Sequence, residues 1–235
     1  MRSVLRHGNS LTLYSYRDVP GVPEGVEVRD AAVILPEERM IRHSGGSPAP
    51  FADWFRYALQ QRGAGTWIDL DIYFVAPLTE PGNYLFGLQE PGVINNAVLR
   101  LPPDCPLVAA LLDLFERDRP LPWLSVRERA MDRWNRLFAP SKRRERLPWG
   151  ATAPRALTAL AYKLDVAHHA LPAEVFYPVP YQRAEWILDP RLRLEDMIGP
   201  RTVTVHLWNE LIRPFKQGPA PAGSFLERLF AEGEL

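Results

Sequence analysis

TWIDLDIYF, residues 66–74, places two aspartates, Asp69 and Asp71, one residue apart inside a run of Trp, Ile, Leu, Ile, Tyr and Phe. As one extended strand it would turn its side chains alternately to opposite faces while rising ~3.3 Å per residue. Both carboxylates then leave on one side, and Ile68, Leu70 and Ile72 leave on the other. Two like charges held that close repel. The remedies are protonation of one acid, a neighbouring cation, or a divalent metal, and this stretch alone does not choose among them.

Working outward, FADWFRYALQQRG (51–63) precedes the acidic strand. Phe51, Trp54, Phe55, Ala58 and Leu59 recur at helical spacing, and Gly63 stands where a helix ends. Asp53 and Arg56, three residues apart, share a face of this helix. The pair reads either as a surface ion pair or as a clamp, the carboxylate accepting from sugar hydroxyls and the guanidinium forking onto phosphate oxygens. YLFGLQE (84–90) and INNAVLRL (94–101) read as strands, with Asn95 and Asn96 opening the second. That amide pair suits hydroxyl binding and turn capping equally.

Further strands are expected at 11–16, 174–181 (EVFYPVPY) and 202–207 (TVTVHL), with a short β-like stretch in VEVRDAAVILP (26–36) broken by Asp30 and stopped at Pro36, and helices at 104–117, 125–138, 154–163 and 222–232. Strands alternating with helices predict an α/β sheet, whose ligands collect beyond the carboxyl ends of the strands. His206 lies at the end of the last strand, beside Trp208 and Asn209. It suits a third Mn²⁺ ligand as well as a structural histidine.

The chain has 235 residues, enough for one large domain, with 24% charged and 46% hydrophobic residues and no net charge. Nothing in that balance points to a nucleic-acid partner. The single cysteine, Cys105, excludes an internal disulfide framework and fits a reducing compartment. No apolar run is long enough for a transmembrane segment and no signal peptide opens the chain, so a cytoplasmic protein is expected. SKRRER (141–146) is a solvated face or a peripheral contact with the inner face of a membrane.

The ordered series FADWFRYALQQRGAGTWIDLDIYFVAPL (51–78), INNAVLRLP (94–102) and VHLWNE (205–210) resembles the DXD-type sugar-nucleotide glycosyltransferases. The likeness is nearest to the α-1,4-N-acetylglucosaminyl and α-1,4-galactosyl transferases; the initiating α-1,6-mannosyltransferases and the glucosylating domains of clostridial toxins are more distant. It runs from about residue 8 to about 215 and is strongest over 51–101. The resemblance implies one glycosyltransferase A-type domain over 1–235, a Rossmann-like mixed sheet of the nucleotide-diphospho-sugar transferase kind, N-terminally truncated and lacking the family's first strand.

It further implies Mn²⁺ or Mg²⁺, a nucleotide-sugar donor (usually UDP-linked), a glycan or glycolipid acceptor, and transfer with retention. Asp71 would be the direct metal ligand and Asp69 a ligand through water or a ribose contact. Asp53 and Arg56 match the family's DxxR element, which holds the donor. Asn95 and Asn96 lie near the transferred sugar, His206 reaches the metal or diphosphate, and Trp208 and Asn209 stand beside it. Tyr84, Phe86, Gln89 and Glu90 read either as acceptor-side or as core and rim.

Two departures stand out: the missing base-cradling strand, and Ala153-Pro154 where relatives tend to have Gly-Pro. The alternatives are a catalytically degenerate nucleotide-sugar-binding protein and an aspartyl phosphatase. The second fits less well, because Tyr73 follows the acids where that chemistry wants Thr or Val.

Overall fold

The computed structural model describes residues 1–234. In chain order the regular elements are α1 (Arg2–Arg6), β1 (Leu11–Ser15), β2 (Val26–Asp30), α2 (Ala49–Gln61), β3 (Trp67–Ile68), β4 (Ile72–Phe74), β5 (Leu85–Glu90), β6 (Val93–Arg100), α3 (Pro106–Glu116), α4 (Val126–Phe138), α5 (Pro154–Lys163), α6 (Ala173–Phe176), β7 (Thr204–His206), α7 (Asn209–Ile212) and α8 (Phe225–Glu234). Short 3-10 turns join them. The fold is mixed α/β.

The sheet differs from expectation. In place of one Rossmann-like sheet, the strands form three small ones ordered β1-β2, β3-β6-β5 and β4-β7. Among the described strands only the pair β1 and β2 runs parallel, with Leu11 opposite Val26. β5 and β6 form a hairpin over Pro91-Gly92, and β4 runs antiparallel to β7 with Ile72 opposite His206. Antiparallel neighbours close through short turns, so the helices need not alternate with strands as crossovers.

The acidic stretch is likewise not one strand. β3 ends at Ile68, the amide of Ile72 donates to the carbonyl of Asp69 at 3.1 Å, and β4 begins in a different sheet. Leu70, expected beside Ile68 and Ile72 on the apolar side, is 78% exposed, whereas Ile72 is buried. The two acids therefore flank a turn, and Leu70 sits at its tip.

α2 starts at a proline-rich entry (Pro48, Pro50) where missing N–H groups cost nothing, and stops before Gly63, whose φ of +61° suits a residue without a Cβ. Phe51, Trp54, Phe55 and Leu59 join one buried core with residues of α3 and α5, Trp54 stacking on Phe115 of α3 at 5.4 Å between centroids. The opposite side of α2 is also buried. It carries Asp53, Arg56, Tyr57 and Gln60, which must find partners inside the protein.

The strand expected at 174–181 is instead the single turn α6 and an irregular run after it. Pro172 begins that turn, and Pro178 and Pro180 lack the amides a ladder needs. α6 lies against Gly87 of β5. A Cβ there would come within 2.9 Å of the Phe176 ring, so only glycine allows the approach.

The basic run is no simple solvated face either. Arg143 is buried and forks onto Asp132 at 2.6 and 2.9 Å while also pairing with Asp118 at 2.8 Å. No helix among the described residues is long and apolar enough to cross a membrane.

Candidate metal centre

The turn between β3 and β4 is held at both ends. The Asp69 amide donates to Ala97 of β6 at 2.8 Å, and the Asp71 carbonyl accepts from the Leu207 amide, just past β7, at 2.9 Å. Pairing of β4 with β7 sets His206 opposite Ile72. Its Nε2 lies 3.1 Å from Asp71 Oδ2. One ligand atom each from Asp69, Asp71 and His206 lies within 4.8 Å of the others.

Asp71 Oδ2 also accepts from the backbone amide of Asn209 at 2.9 Å. That amide is aimed by Trp208, which takes a left-handed backbone (φ 51°, ψ 50°) and anchors its indole N–H on the Val179 carbonyl at 2.8 Å. A non-glycine residue in this conformation carries strain, here held by the surrounding packing. Burial pushes the Asp71 carboxyl upward, but the hydrogen bond and charge of His206 and the Asn209 amide outweigh it and hold the group below its ordinary value.

Asp69 is fixed from the other side. Its Oδ1 accepts from Trp67 Nε1 at 2.6 Å and lies 3.2 Å from the Arg56 guanidinium. Arg56 continues inward, donating to the Asn96 carbonyl at 2.8 Å and pairing with Asp53 at 3.5 Å. Asp53 in turn accepts from Thr152 Oγ1 at 2.8 Å.

Asp53 and Arg56 thus form neither a surface ion pair nor an open clamp. Both are buried and their bonding capacity is taken up inside, so in this geometry they order Asp69. Burial tends to strip the charge from Arg56, yet Asp69 and Asp53 more than compensate and raise its pKa.

Asn95 and Asn96 do not act as a pair, because adjacent strand residues face opposite sides. Asn96 reaches Tyr57 of α2, while Asn95 accepts from the Ala97 amide and donates to Gln89. Of the suggested acceptor-side residues, Phe86 is core and Tyr84 stacks on His169 at 4.6 Å. Sequence reasoning missed Thr152 and Tyr57. Thr152 is 99 positions from Asp53 and carries no local signal; it lies in GATAPRAL, where only the Ala153-Pro154 dipeptide stood out.

Two carboxylates and one imidazole suit Mn²⁺, and the carboxylates suit Mg²⁺. The side chains of Asp69 and Asp71 are 26% and 22% exposed, so an ion can reach them from solvent. Trp67 and Arg56 reach Asp69 through Oδ1, and His206 and the Asn209 amide reach Asp71 through Oδ2. His206 Nδ1 is buried with no hydrogen-bond partner among the described residues, and the ring packs against Trp208 at 3.9 Å between centroids. The residues fit a divalent cation.

Deeper in, burial lifts the Asp53 carboxyl to about 6, against the pull of Arg56 and Thr152. An acid whose pKa is raised on folding stabilises the fold below its unfolded value and loses that contribution as pH rises through the folded value. Stability is therefore expected to fall between pH 4 and 6 by roughly 2–3 kcal/mol on this account. Above that window the ion pair with Arg56 is present. Asp53→Asn, which keeps an acceptor for Thr152, should flatten this fall; urea midpoints at pH 4 and pH 7 that differ as much as in the parent chain would refute the assignment.

Comparison with protein-family models, with curated proteins and with solved structures finds no match in any of the three.

Proposed function

We propose that the chain is a metal-dependent retaining glycosyltransferase with a glycosyltransferase A-type fold, moving a sugar from a nucleotide-diphosphate donor, UDP-linked by preference, to a hydroxyl of a glycan or glycolipid. The observation that carries this reading is the convergence of Asp69, Asp71 and His206 within 4.8 Å, with Asp71 and His206 135 positions apart in the chain. The order of these residues in the sequence, with Asp53 and Arg56 before them, is what resembles the DXD enzymes.

In the proposed reaction Asp69, Asp71 and His206 hold Mn²⁺ or Mg²⁺. When bound, the ion neutralises charge on the departing diphosphate. Arg56 orients Asp69, since its guanidinium lies between that carboxylate and Asp53. The Asn209 amide and the His206 ring fix Asp71 in the same way. The bond from the anomeric carbon to the diphosphate breaks while the acceptor oxygen bonds on the same face, and the acceptor proton passes to the leaving phosphate oxygen. No protein nucleophile is required.

The test is turnover of UDP-linked sugars with added Mn²⁺ or Mg²⁺. Hydrolysis or transfer that stops on chelation and returns on adding metal is the expected result. Equal turnover with chelator present would refute the metal's role, and donor binding without turnover would favour the degenerate sugar-nucleotide-binding protein.

A further inference from the structure

α4 is turned inside out. Its inward face is polar: Asp132 is clamped by Arg143, Asn135 accepts from Arg146 at 3.3 Å, and Glu128 accepts from Arg155 at 2.7 and 2.9 Å. Its outward face is apolar. Val126, Met131, Trp134, Leu137 and Phe138 are 58–76% exposed, and the Trp134 and Phe138 rings lie 4.2 Å apart, one helical turn from each other. An ordinary surface helix buries its apolar stripe and wets its polar one. Here the capping box of Ser125 and Glu128 and the ion pairs hold the reversed orientation in place.

The charges around that stripe identify what covers it. Arg127 stands at the N-terminal end of the stripe and Arg133 at its edge, and neither has an ion pair among the described residues, whereas both acids of the helix are already engaged by Arg155 and Arg143. Arg127 and Arg146 also line a cleft of about 330 Å³ beside the helix. A second copy docking through this face by two-fold symmetry would bring the same arginines to the contact, and α4 offers no free acid to pair them. An anionic lipid surface supplies both what the stripe and what the arginines lack: acyl chains for Trp134, Leu137 and Phe138, and phosphates for Arg127 and Arg133.

We propose that α4 is a membrane-surface helix that seats the protein on anionic lipid with its axis in the plane of the interface. The contact is then centred on α4 rather than on residues 141–146, where Arg143 is buried. It stands independently of the metal centre.

The experiment is co-sedimentation of the full chain with vesicles of phosphatidylcholine alone and of phosphatidylcholine with phosphatidylglycerol. Binding is expected only to the anionic vesicles and should weaken as salt is raised. Arg127→Gln with Arg133→Gln should lower the affinity roughly 30-fold, and Leu137→Glu with Phe138→Glu by more than about tenfold. Both pairs are solvent-exposed, so circular dichroism should match the parent. Should either variant misfold, quenching of tryptophan fluorescence by brominated lipid, lost in Trp134→Phe, reads the same contact in an otherwise native chain. No binding to anionic vesicles, or binding indifferent to these changes, overturns the proposal. So does a concentration-dependent dimer that Leu137→Glu with Phe138→Glu dissociates, which would make a second copy the occupant.

Discussion

Asp71→Asn is expected to fold and to lose metal-dependent turnover by a factor on the order of 10³, because an ion stabilising the leaving diphosphate contributes several kcal/mol and each ~1.4 kcal/mol is tenfold in rate. Asparagine is the informative choice. It keeps an oxygen to accept the Asn209 amide, so the tether to the Trp208 turn survives. Alanine would remove the charge, that tether and the contact with His206 together, and a lost activity could then be blamed on a displaced loop. Mn²⁺ affinity, read by electron paramagnetic resonance, should fall at least about tenfold in parallel. Because Asp71 is held below the ordinary carboxylate value, it stays charged throughout the neutral range, and the stability it contributes is lost only as pH falls through that lowered value. Turnover of Asp71→Asn within tenfold of the parent would remove this residue from the metal centre and the metal from the reaction.

Much of the site could be read before the fold was known, though partly for the wrong geometric reason. Strand alternation puts Asp69 and Asp71 on one side, and they do converge, but across a turn that exposes Leu70 and passes the chain from one sheet to another. Leucine is no turn former, so an apolar run with period two conceals such a break. Helices α2 and α5 were legible because prolines stand at their starts and Gly63 follows the end of α2, and α4 is opened by a Ser125–Glu128 capping box. α6 was misread because Val175, Phe176 and Tyr177 favour strands, while its neighbours Pro178 and Pro180 forbid a ladder. Burial was the hardest to foresee. Asp53, Arg56 and Arg143 are charged residues at spacings typical of surfaces, and only the tertiary partners Thr152, Asn96 and Asp132 bring them inside.

The same buried charges yield the largest expected change in stability. Arg56→Met removes the one cation between Asp53 and Asp69 and the donor to the Asn96 carbonyl, leaving an uncompensated buried charge. Breaking a buried pair by deleting one partner costs about 3–5 kcal/mol. For a chain of this size that lowers Tm by roughly 6–20 °C, at about 2–4 °C per kcal/mol. The double variant Asp53→Asn with Arg56→Met should recover part of the loss, because the deeper carboxylate is then neutral and still bonded to Thr152. What remains is the cost at Asp69, whose side chain is 26% exposed and within reach of a cation. Mn²⁺ should therefore raise Tm more in Arg56→Met than in the parent, since the ion takes over the charge compensation that the guanidinium supplied. Calorimetric scans of the parent, Asp53→Asn, Arg56→Met and the double variant, with and without Mn²⁺, separate these contributions. A loss under ~1 kcal/mol in Arg56→Met is the size of an exposed ion pair and would show that the guanidinium does not hold the acidic turn in place.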